Sequence, residues 1–148
     1  MGAHWDNVRF RFDKGFPPDG WLDLYRACGW YPTSNVDDLR VIRAHAYLIV
    51  TAWDGEAMVG TVTVLSDGRN YATIDDLVVH PVYRRQGIGS ELVRLALGRL
   101  TAIDCGVIKL VAVPGVEPSY ERLGFQPTRE TVMSLAASQP SLVGPASP

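Results

Sequence analysis

Two arginines and two glycines lie close together in the segment RRQGIG at residues 84–89. The apolar residues that follow have helical spacing, so this segment would form the start of a helix. The first N–H groups of a helix have no partner inside it, and the helix dipole adds partial positive charge there. Glycines let an anion approach such backbone closely. The segment therefore predicts a binding site for a phosphorylated ligand.

Two common phosphate-binding motifs do not fit residues 84–89. A dinucleotide site would have a third glycine where Leu92 stands, early in a repeated strand–helix–strand layout. A P-loop would continue with Gly-Lys-Ser or Gly-Lys-Thr, which does not follow here. Glycine pairs before helices also occur as ordinary turn chemistry, so the surrounding elements must decide between a site and a turn.

A strand and a long helix are predicted on either side of this segment. Residues 72–79 form a run rich in aliphatic and β-branched side chains that stops at Pro81. After the segment, apolar residues recur at helical spacing, at Ile88, Leu92, Leu95, Ala96 and Ile103. A second strand is predicted at residues 107–113. The two strands of such a strand–helix–strand unit should be parallel neighbours.

The rest of the chain surrounds this unit with further elements. Before it, the patterns predict a strand at 8–12, a helix at 21–28, a helix from a cap at Ser34 or Asn35 to about 45, and strands at 47–53 and 58–65. After it come a short helix at 118–123 and a strand near 131–135. The fold class is therefore α/β, with a mixed sheet that is antiparallel first and parallel in the middle. We expect residues 1–135 to be one domain and residues 136–148, rich in Ala, Ser, Pro and Gly, to be a disordered tail.

The composition excludes several classes of function. Apolar residues make up 47% of the chain and charged residues 20%, with a net charge of −2, as in ordinary soluble domains. No apolar run approaches the roughly 20 residues of a membrane span, and the first residues do not resemble a secretion signal. We therefore expect a cytoplasmic protein that binds neither membrane nor nucleic acid. Cys28 and Cys105 lack metal-ligand spacing, so we expect free thiols and no metal site.

Two segments carry a recognisable family pattern. Arg84, Gly87 and Gly89 fit Q/R-x-x-G-x-G/A, and the segment SYERLGF at residues 119–125 follows one helix and one strand later. These motifs and their spacing resemble the GNAT superfamily of acetyl-CoA-dependent N-acetyltransferases, over about residues 8–135. The resemblance implies a GNAT-like acyl-CoA N-acyltransferase fold. Antiparallel N-terminal strands would precede a central parallel unit, and two strands would splay into a V-shaped opening.

The same resemblance implies acetyl-CoA as the cosubstrate. In the family, N–H groups of the glycine loop surround the CoA pyrophosphate, and backbone groups of a bulged central strand contact the pantetheine arm and thioester. The implied cofactor residues here are Leu77, Val78, Val79, Arg84, Arg85, Gln86, Gly87, Ile88, Gly89 and Ser90. Val113 stands where the family often has an asparagine that contacts CoA, so backbone is expected to replace that contact.

Acetyl transfer to an amine needs one group that accepts a proton from the amine and another that protonates the departing thiolate. Strand alternation places Asp75 on one face with Leu77 and Val79, and Asp76 on the other. The resemblance places a base on the Asp75 face, so Asp75 is the first candidate, and Asp76, at a recurrent acidic position, is the second. It also implies that Tyr120 protonates the thiolate. Each aspartate could instead cap a turn or pair with an arginine, and the tyrosine could be a core residue.

The first two helices cover the acceptor side of the cleft in this family. Tyr25, Trp30 and Tyr31 lie on or between these helices and are the candidate substrate-binding residues, with packing of amphipathic helices as the alternative. An aromatic-rich region suits a closed pocket, so the expected acceptor is a primary amine of a small molecule. The alternatives are a protein N-terminus or lysine, and a non-catalytic acyl-CoA sensor. Dimers are common in the family, so a homodimer is an alternative to a monomer.

Overall fold

The computed structural model describes residues 5–31 and 34–135. Within these residues, strands form one 5-stranded sheet in the order β1-β2-β3-β4-β5. The strands are β1 Val8–Arg11, β2 Leu48–Asp54, β3 Ala57–Ser66, β4 Tyr71–Val79 and β5 Val107–Leu110. The helices are α1 Pro18–Ala27, α2 Val36–His45, α3 Ile88–Ala102 and α4 Glu117–Glu121, with a 3₁₀ turn at Pro81–Tyr83. The predicted tail at 136–148 lies outside the described residues.

The sheet is mixed, as predicted. Strands β1 to β4 pair with their neighbours antiparallel, and β4 pairs with β5 parallel. Short turns join β2 to β3 and β3 to β4, whereas α3 forms the crossover that parallel strands require. The predicted bounds of β1 to β4 are confirmed to within one residue at each end.

The first two helices begin where the sequence supplies helix-starting residues. In α2, the Asp38 N–H donates to Asn35 Oδ1 at 3.0 Å and the Asn35 N–H donates to Asp38 Oδ2 at 2.9 Å. This capping box satisfies N–H groups that the helix itself leaves unpaired. Helix α1 begins at Pro18, earlier than predicted, because a proline fits the first turn, where its missing N–H has no partner to lose. Among the described residues, no helix has both the length and the apolar character needed to cross a membrane.

The sheet separates two hydrophobic cores. Helix α3 covers one face with a buried stripe that includes Leu92, and the other face is covered by α1, with Trp21 and Tyr25, and by α2, with Leu39. Gly60 in β3 allows α3 to approach the sheet closely. A Cβ atom at Gly60 would lie 3.1 Å from Leu92 Cδ1 and 3.3 Å from Ile88 Cγ2. The first residue of α3 therefore rests directly on strand backbone.

Two predictions about the C-terminal part are wrong. Residues 126–135 form neither strand nor helix, and β5 ends at Leu110 rather than at 113. Val132, Met133 and Leu135 are 70%, 89% and 93% exposed, so their side chains cover no sheet face. A strand needs a neighbouring strand to satisfy its backbone N–H and C=O groups, and apolar sequence alone does not supply one.

Candidate active site

The predicted phosphate-binding segment forms the loop that leads into α3. Gly87 caps α3 and has a φ of 88°, in the left-handed region that a side chain disfavours. Arg85 also has a positive φ, of 63°. Because glycine offers no side chain to cap the helix, the N–H groups of its first turn, from Ile88 onward, have no partner inside the helix and no side-chain cap. The loop can therefore hold an anion at the positive end of α3.

A cavity of about 380 Å³ opens beside this loop. It brings together most of the predicted cofactor residues with Tyr120, namely Leu77, Val79, Arg84, Arg85, Gly87, Ile88, Gly89 and Ser90. Val78 packs instead in the core beside α1, and Gln86 lies outside the lining. One continuous space thus joins the basic loop, the apolar end of β4 and the phenol of Tyr120.

The cavity is also lined by residues that were not predicted from the sequence, namely Tyr83, Val93, Val116, Ser119 and Leu123. Tyr83 donates its hydroxyl to Asp54 Oδ2 and so anchors the start of the loop to the end of β2. Tyr83 directly precedes the first recognised motif, and Ser119 and Leu123 belong to the second, SYERLGF, so the motifs could have identified all three. Val93 and Val116 give no comparable signal, because nothing in the sequence distinguishes them from other aliphatic residues of the fold.

Strand β4 contains a bulge at Asp76, beside the cavity. Thr61 pairs with Val78 and Thr63 with Asp75, so one residue of β3 faces two residues of β4. Asp76 has a φ of 50°. An extra residue in one strand reverses the direction of every side chain beyond it.

The bulge places both aspartates on the α1 side, so the prediction that they lie on opposite faces is wrong. Both act on the same tyrosine of that side: Asp76 accepts a hydrogen bond from Tyr31, and the charge of Asp75 contributes to raising the pKa of Tyr31. Leu77 and Val79 lie on the other side, packed with the α3 core and facing the cavity. Carboxylates and cavity-lining groups therefore occupy opposite faces of one strand end.

The predicted acceptor-side residues form an aromatic cluster that contacts Asp76 through its two tyrosines. Tyr31 donates to Asp76 Oδ1 at 2.7 Å, and the Tyr25 hydroxyl lies 3.5 Å from Asp76 Oδ2. The rings of Tyr25 and Tyr31 meet edge to face with centroids 5.2 Å apart, and Trp30 packs on Tyr31 at 5.7 Å. Tyr25 is fully buried, whereas Tyr31 is half-buried and reaches the surface.

Burial controls the protonation of this cluster. It raises the pKa of Asp76, while the hydrogen bonds from Tyr31 and Tyr25 act in the opposite direction. Burial, and next the charge of Asp76, raise the pKa of Asp75. Burial and the same charge raise the pKa values of both tyrosines, so their hydroxyls remain donors at neutral pH.

An opening in the sheet lies beside the two aspartates. In the described chain, β4 pairs with β5 only from Tyr71 to Ile74, although β4 itself continues to Val79. The edge of β4 from Asp75 onward therefore has no strand beside it on the β5 side. This is the V-shaped opening that the family resemblance implied. At this opening only the end of β4 lies between the carboxylate face and the cavity.

The end of β4 is tied to the loop through the carbonyl of Val79. Arg84 Nε donates to this oxygen at 2.9 Å, and Cys28 Sγ donates to it at 3.4 Å. Burial raises the pKa of the Cys28 thiol, against the effect of Arg84, so the thiol stays a neutral donor. The remainder of the Arg84 side chain still lines the cavity.

Tyr120 lies on α4 and contributes to the cavity lining. Its ring packs edge to face on Phe125 with centroids 6.1 Å apart. Burial raises the pKa of its phenol, which therefore stays protonated at neutral pH. A protonated phenol in the same cavity as an anion-binding loop can give a proton to a ligand that occupies both.

The profile of the Acetyltransferase (GNAT) family matches residues 12–125, from the end of the first strand to beyond α4. The chain belongs to the GNAT family of acetyltransferases. The family uses acetyl-CoA, and its members bind an acyl-CoA and an acceptor substrate. The GNAT fold, with its mixed sheet, is thereby confirmed.

Proteins similar to this GNAT chain include plant and bacterial acetyltransferases. Histone acetyltransferase TAP1 of Glycine max is 33% identical over 127 residues, which cover 76% of this chain and 54% of TAP1. The match with the curated relatives covers only 30% to 54% of their own lengths. A putative acetyltransferase from Deinococcus radiodurans R1 has 30% identity and a TM-score of 0.78, covering 99% of this chain and 100% of its own.

A more distant structure shares the GNAT fold alone. AAC(6')-Iy, solved in complex with the bisubstrate analog CoA-S-monomethyl-acetylneamine, has 14% identity and a TM-score of 0.69, covering 86% of this chain and 97% of its own. At this identity the likeness extends to the arrangement of the sheet and helices and carries no information on the acceptor.

Proposed function

We propose that this GNAT protein transfers the acetyl group of acetyl-CoA to a primary amine of a small molecule, by direct attack of the amine in a ternary complex. One observation carries the proposal. A single cavity joins the anion-binding start of α3 to a protonated Tyr120, and two carboxylates lie at the neighbouring strand opening.

The residues of the cavity suit CoA by their chemistry. The first-turn N–H groups of α3 and the side chain of Arg85 would hold the pyrophosphate. A Cβ at Gly89 would lie 3.6 Å from Val79 Cγ2, an ordinary contact distance, so the first turn of the helix lies directly beside the end of β4. Leu77 and Val79 would contact the pantetheine arm. Once bound, acetyl-CoA supplies the thioester carbonyl carbon that an amine attacks.

An aspartate at the strand opening and Tyr120 in the cavity make the two proton transfers. An alkyl amine is almost fully protonated at neutral pH and must lose a proton before it can attack. Asp75 or Asp76 accepts that proton, directly or through water. As the new N–C bond forms and the C–S bond breaks, the hydroxyl of Tyr120 gives its proton to the sulfur. The N–H of Val79 would polarise the carbonyl oxygen.

The aromatic cluster supports a compact, cationic acceptor. Tyr25 and Tyr31 flank Asp76 and Trp30 packs on Tyr31, and an ammonium group is attracted both by a carboxylate and by aromatic faces. A protein or peptide amine is the second candidate acceptor, because one relative is named a histone acetyltransferase. The two acceptors differ in size, so they can be separated by assay.

Release of the CoA thiol, measured with a panel of primary amines, lysine-containing peptides and free peptide N-termini, tests the proposal. Turnover on at least one small amine is expected, with acetyl-CoA required. Turnover on peptides alone would establish the second candidate. Binding of CoA, measured by calorimetry, with no turnover on any amine or peptide would overturn catalysis and support an acyl-CoA sensor.

A further inference from the structure

Two residues in disfavoured backbone conformations are joined by one hydrogen bond at the carboxylate face. Tyr31 has a φ of 44° and Asp76 a φ of 50°, and the Tyr31 hydroxyl donates to Asp76 Oδ1 at 2.7 Å. Non-glycine residues, and aromatic ones above all, seldom occupy the left-handed region. Strain of this kind persists where the surrounding structure fixes it and is concentrated at functional sites. Aspartate enters this region more readily than an aromatic residue, so the strain lies mainly at Tyr31, whose hydroxyl is held on Asp76.

The hydrogen bond makes the two neighbouring carboxylates unequal. One oxygen of Asp76 is occupied by Tyr31, and the other lies 3.5 Å from the hydroxyl of the fully buried Tyr25. Asp75 is half-buried, and among the described residues its carboxylate accepts no hydrogen bond. It also lies where β4 has lost its β5 neighbour, beside the strand opening.

We propose that Tyr31 is a positioning residue that assigns separate roles to these carboxylates: it holds Asp76 as a fixed anion, and Asp75 accepts the proton of the acceptor amine. The inference rests on the proposed function and deepens it, since that function left the choice between the two carboxylates open. The proton passes from the ammonium nitrogen to a carboxylate oxygen of Asp75, directly or through one water, and the neutral amine then attacks.

The groups that face the pair fix the sign of the pH dependence. Asp75 faces Asp76 on its own strand, Thr63 on β3, and Tyr31 from the segment after α1; Tyr25 of α1 faces Asp76. The charge of Asp76 contributes to raising the pKa of Asp75, so removing that charge should lower it. The hydrogen bond from Tyr31 lowers the pKa of Asp76, so removing that bond should raise it.

Isosteric variants separate the roles through the pH profile of kcat/KM. Asp75→Asn should lose about 10²-fold or more at pH 7, and the acidic limb that Asp75 sets should be replaced by a rise toward the pKa of the amine, so that activity recovers only at high pH, where the amine is already neutral. Asp76→Asn should lose less, keep the acidic limb and move it to lower pH. Tyr31→Phe should also keep the limb, and its effect on the limb should disappear in the Asp76→Asn background, since Tyr31 acts on Asp75 only through the charge of Asp76, which asparagine lacks. Tyr71→Phe, at an exposed tyrosine 61% accessible at the start of β4, is the matched control and should leave the profile unchanged.

The outcomes distinguish this inference from the proposed function. If the parent protein turns over no amine, the proposed function fails, and the contact is then tested by carbon NMR of labelled aspartates, in which Tyr31→Phe should raise the pKa of Asp76. If the parent turns over amine but the limb survives in Asp75→Asn and is lost in Asp76→Asn, the roles are reversed and the inference is wrong. Unaltered CoA binding and melting temperature in each variant show that the fold is intact. Additive effects of Tyr31→Phe and Asp76→Asn, or an unmoved pKa of Asp76, would also overturn it.

Discussion

Gly87→Ala tests whether the loop before α3 needs a left-handed residue. Gly87 has a φ of 88°, and a Cβ there would lie 3.5 Å from Trp5 Nε1, an ordinary contact distance. Space is therefore available, and the cost is confined to the backbone. Holding an L-residue in this conformation costs about 1–2 kcal/mol.

The same free energy can be observed in either of two measurements. If the loop keeps its shape, the strain lowers the stability of the fold, and the melting temperature should fall by about 2–8 °C, because each kcal/mol moves it by about 2–4 °C in a chain of this size. If the loop relaxes, it must be restored to bind cofactor, and the Kd for CoA should rise by about 5- to 30-fold. Scanning fluorimetry and calorimetry with CoA measure both quantities on one preparation.

Gly98→Ala is the matched control within the same helix. Gly98 is exposed, lies inside α3, and has nothing within 4 Å of its Cβ position. Alanine in a helix interior is more stable than glycine by about 0.5–1 kcal/mol, so this variant should melt higher and bind CoA as the parent does. If Gly87→Ala matched Gly98→Ala in both measurements, the left-handed loop and the anion site built on it would be refuted.

Tyr120→Phe removes only the proton that the phenol can give, so kcat should fall by about 10²-fold or more in thiol-release assays while the KM for acetyl-CoA changes little; an unchanged kcat would exclude this role. Asn35→Ala removes the capping box of α2 and should lower the free energy of unfolding by about 0.5–2 kcal/mol in urea titrations, whereas Asn35→Asp should retain it. Asp67 accepts N–H bonds from Arg69, Asn70 and Tyr71 at the β3–β4 turn, and these bonds lower its pKa below 3.8. The stability that Asp67 adds to the fold is thus present above pH 3.8 and is lost as the pH falls through the pKa of the folded state. Asp67→Ala should therefore lower the melting temperature by more at pH 7 than at pH 2. An equal decrease at both pH values would contradict this linkage.

The parts of the fold that local chemistry controls could be predicted from the sequence. Strands β2 to β4 follow from dense β-branched runs and turn residues, and α2 from the cap at Asn35. The anion-binding loop could be predicted in the same way, because glycine conformation, arginine charge and the helix start are all properties of one short segment. Its place in the same cavity as Tyr120 required the family motif, since the two lie apart in the chain.

The features that depend on distant pairing could not be predicted. The direction of Asp76 is decided by a register shift against β3, and nothing in the alternation of β4 reveals the extra residue. The same holds for the contact of Tyr31 with Asp76 and of Cys28 with the Val79 carbonyl, which join the first helix region to the end of β4. The prediction of a strand at 131–135 was wrong for a related reason: these residues have strand propensity, but a strand forms only where another strand lies beside it.

The close packing at Gly60 has a consequence for the engineering of this protein. Leu92 and Ile88 contact bare backbone there, and Ile88 is also the first residue of the helix whose N–H groups face the cavity. Interiors are close-packed and transmit displacement, so an added methyl group at this position would push the side chains of Leu92 and Ile88 by tenths of an ångström and press on the start of α3. Stabilising this core by filling volume and retaining affinity for a phosphorylated ligand are therefore competing aims, although the substituted atom would lie on the sheet and not in the cavity.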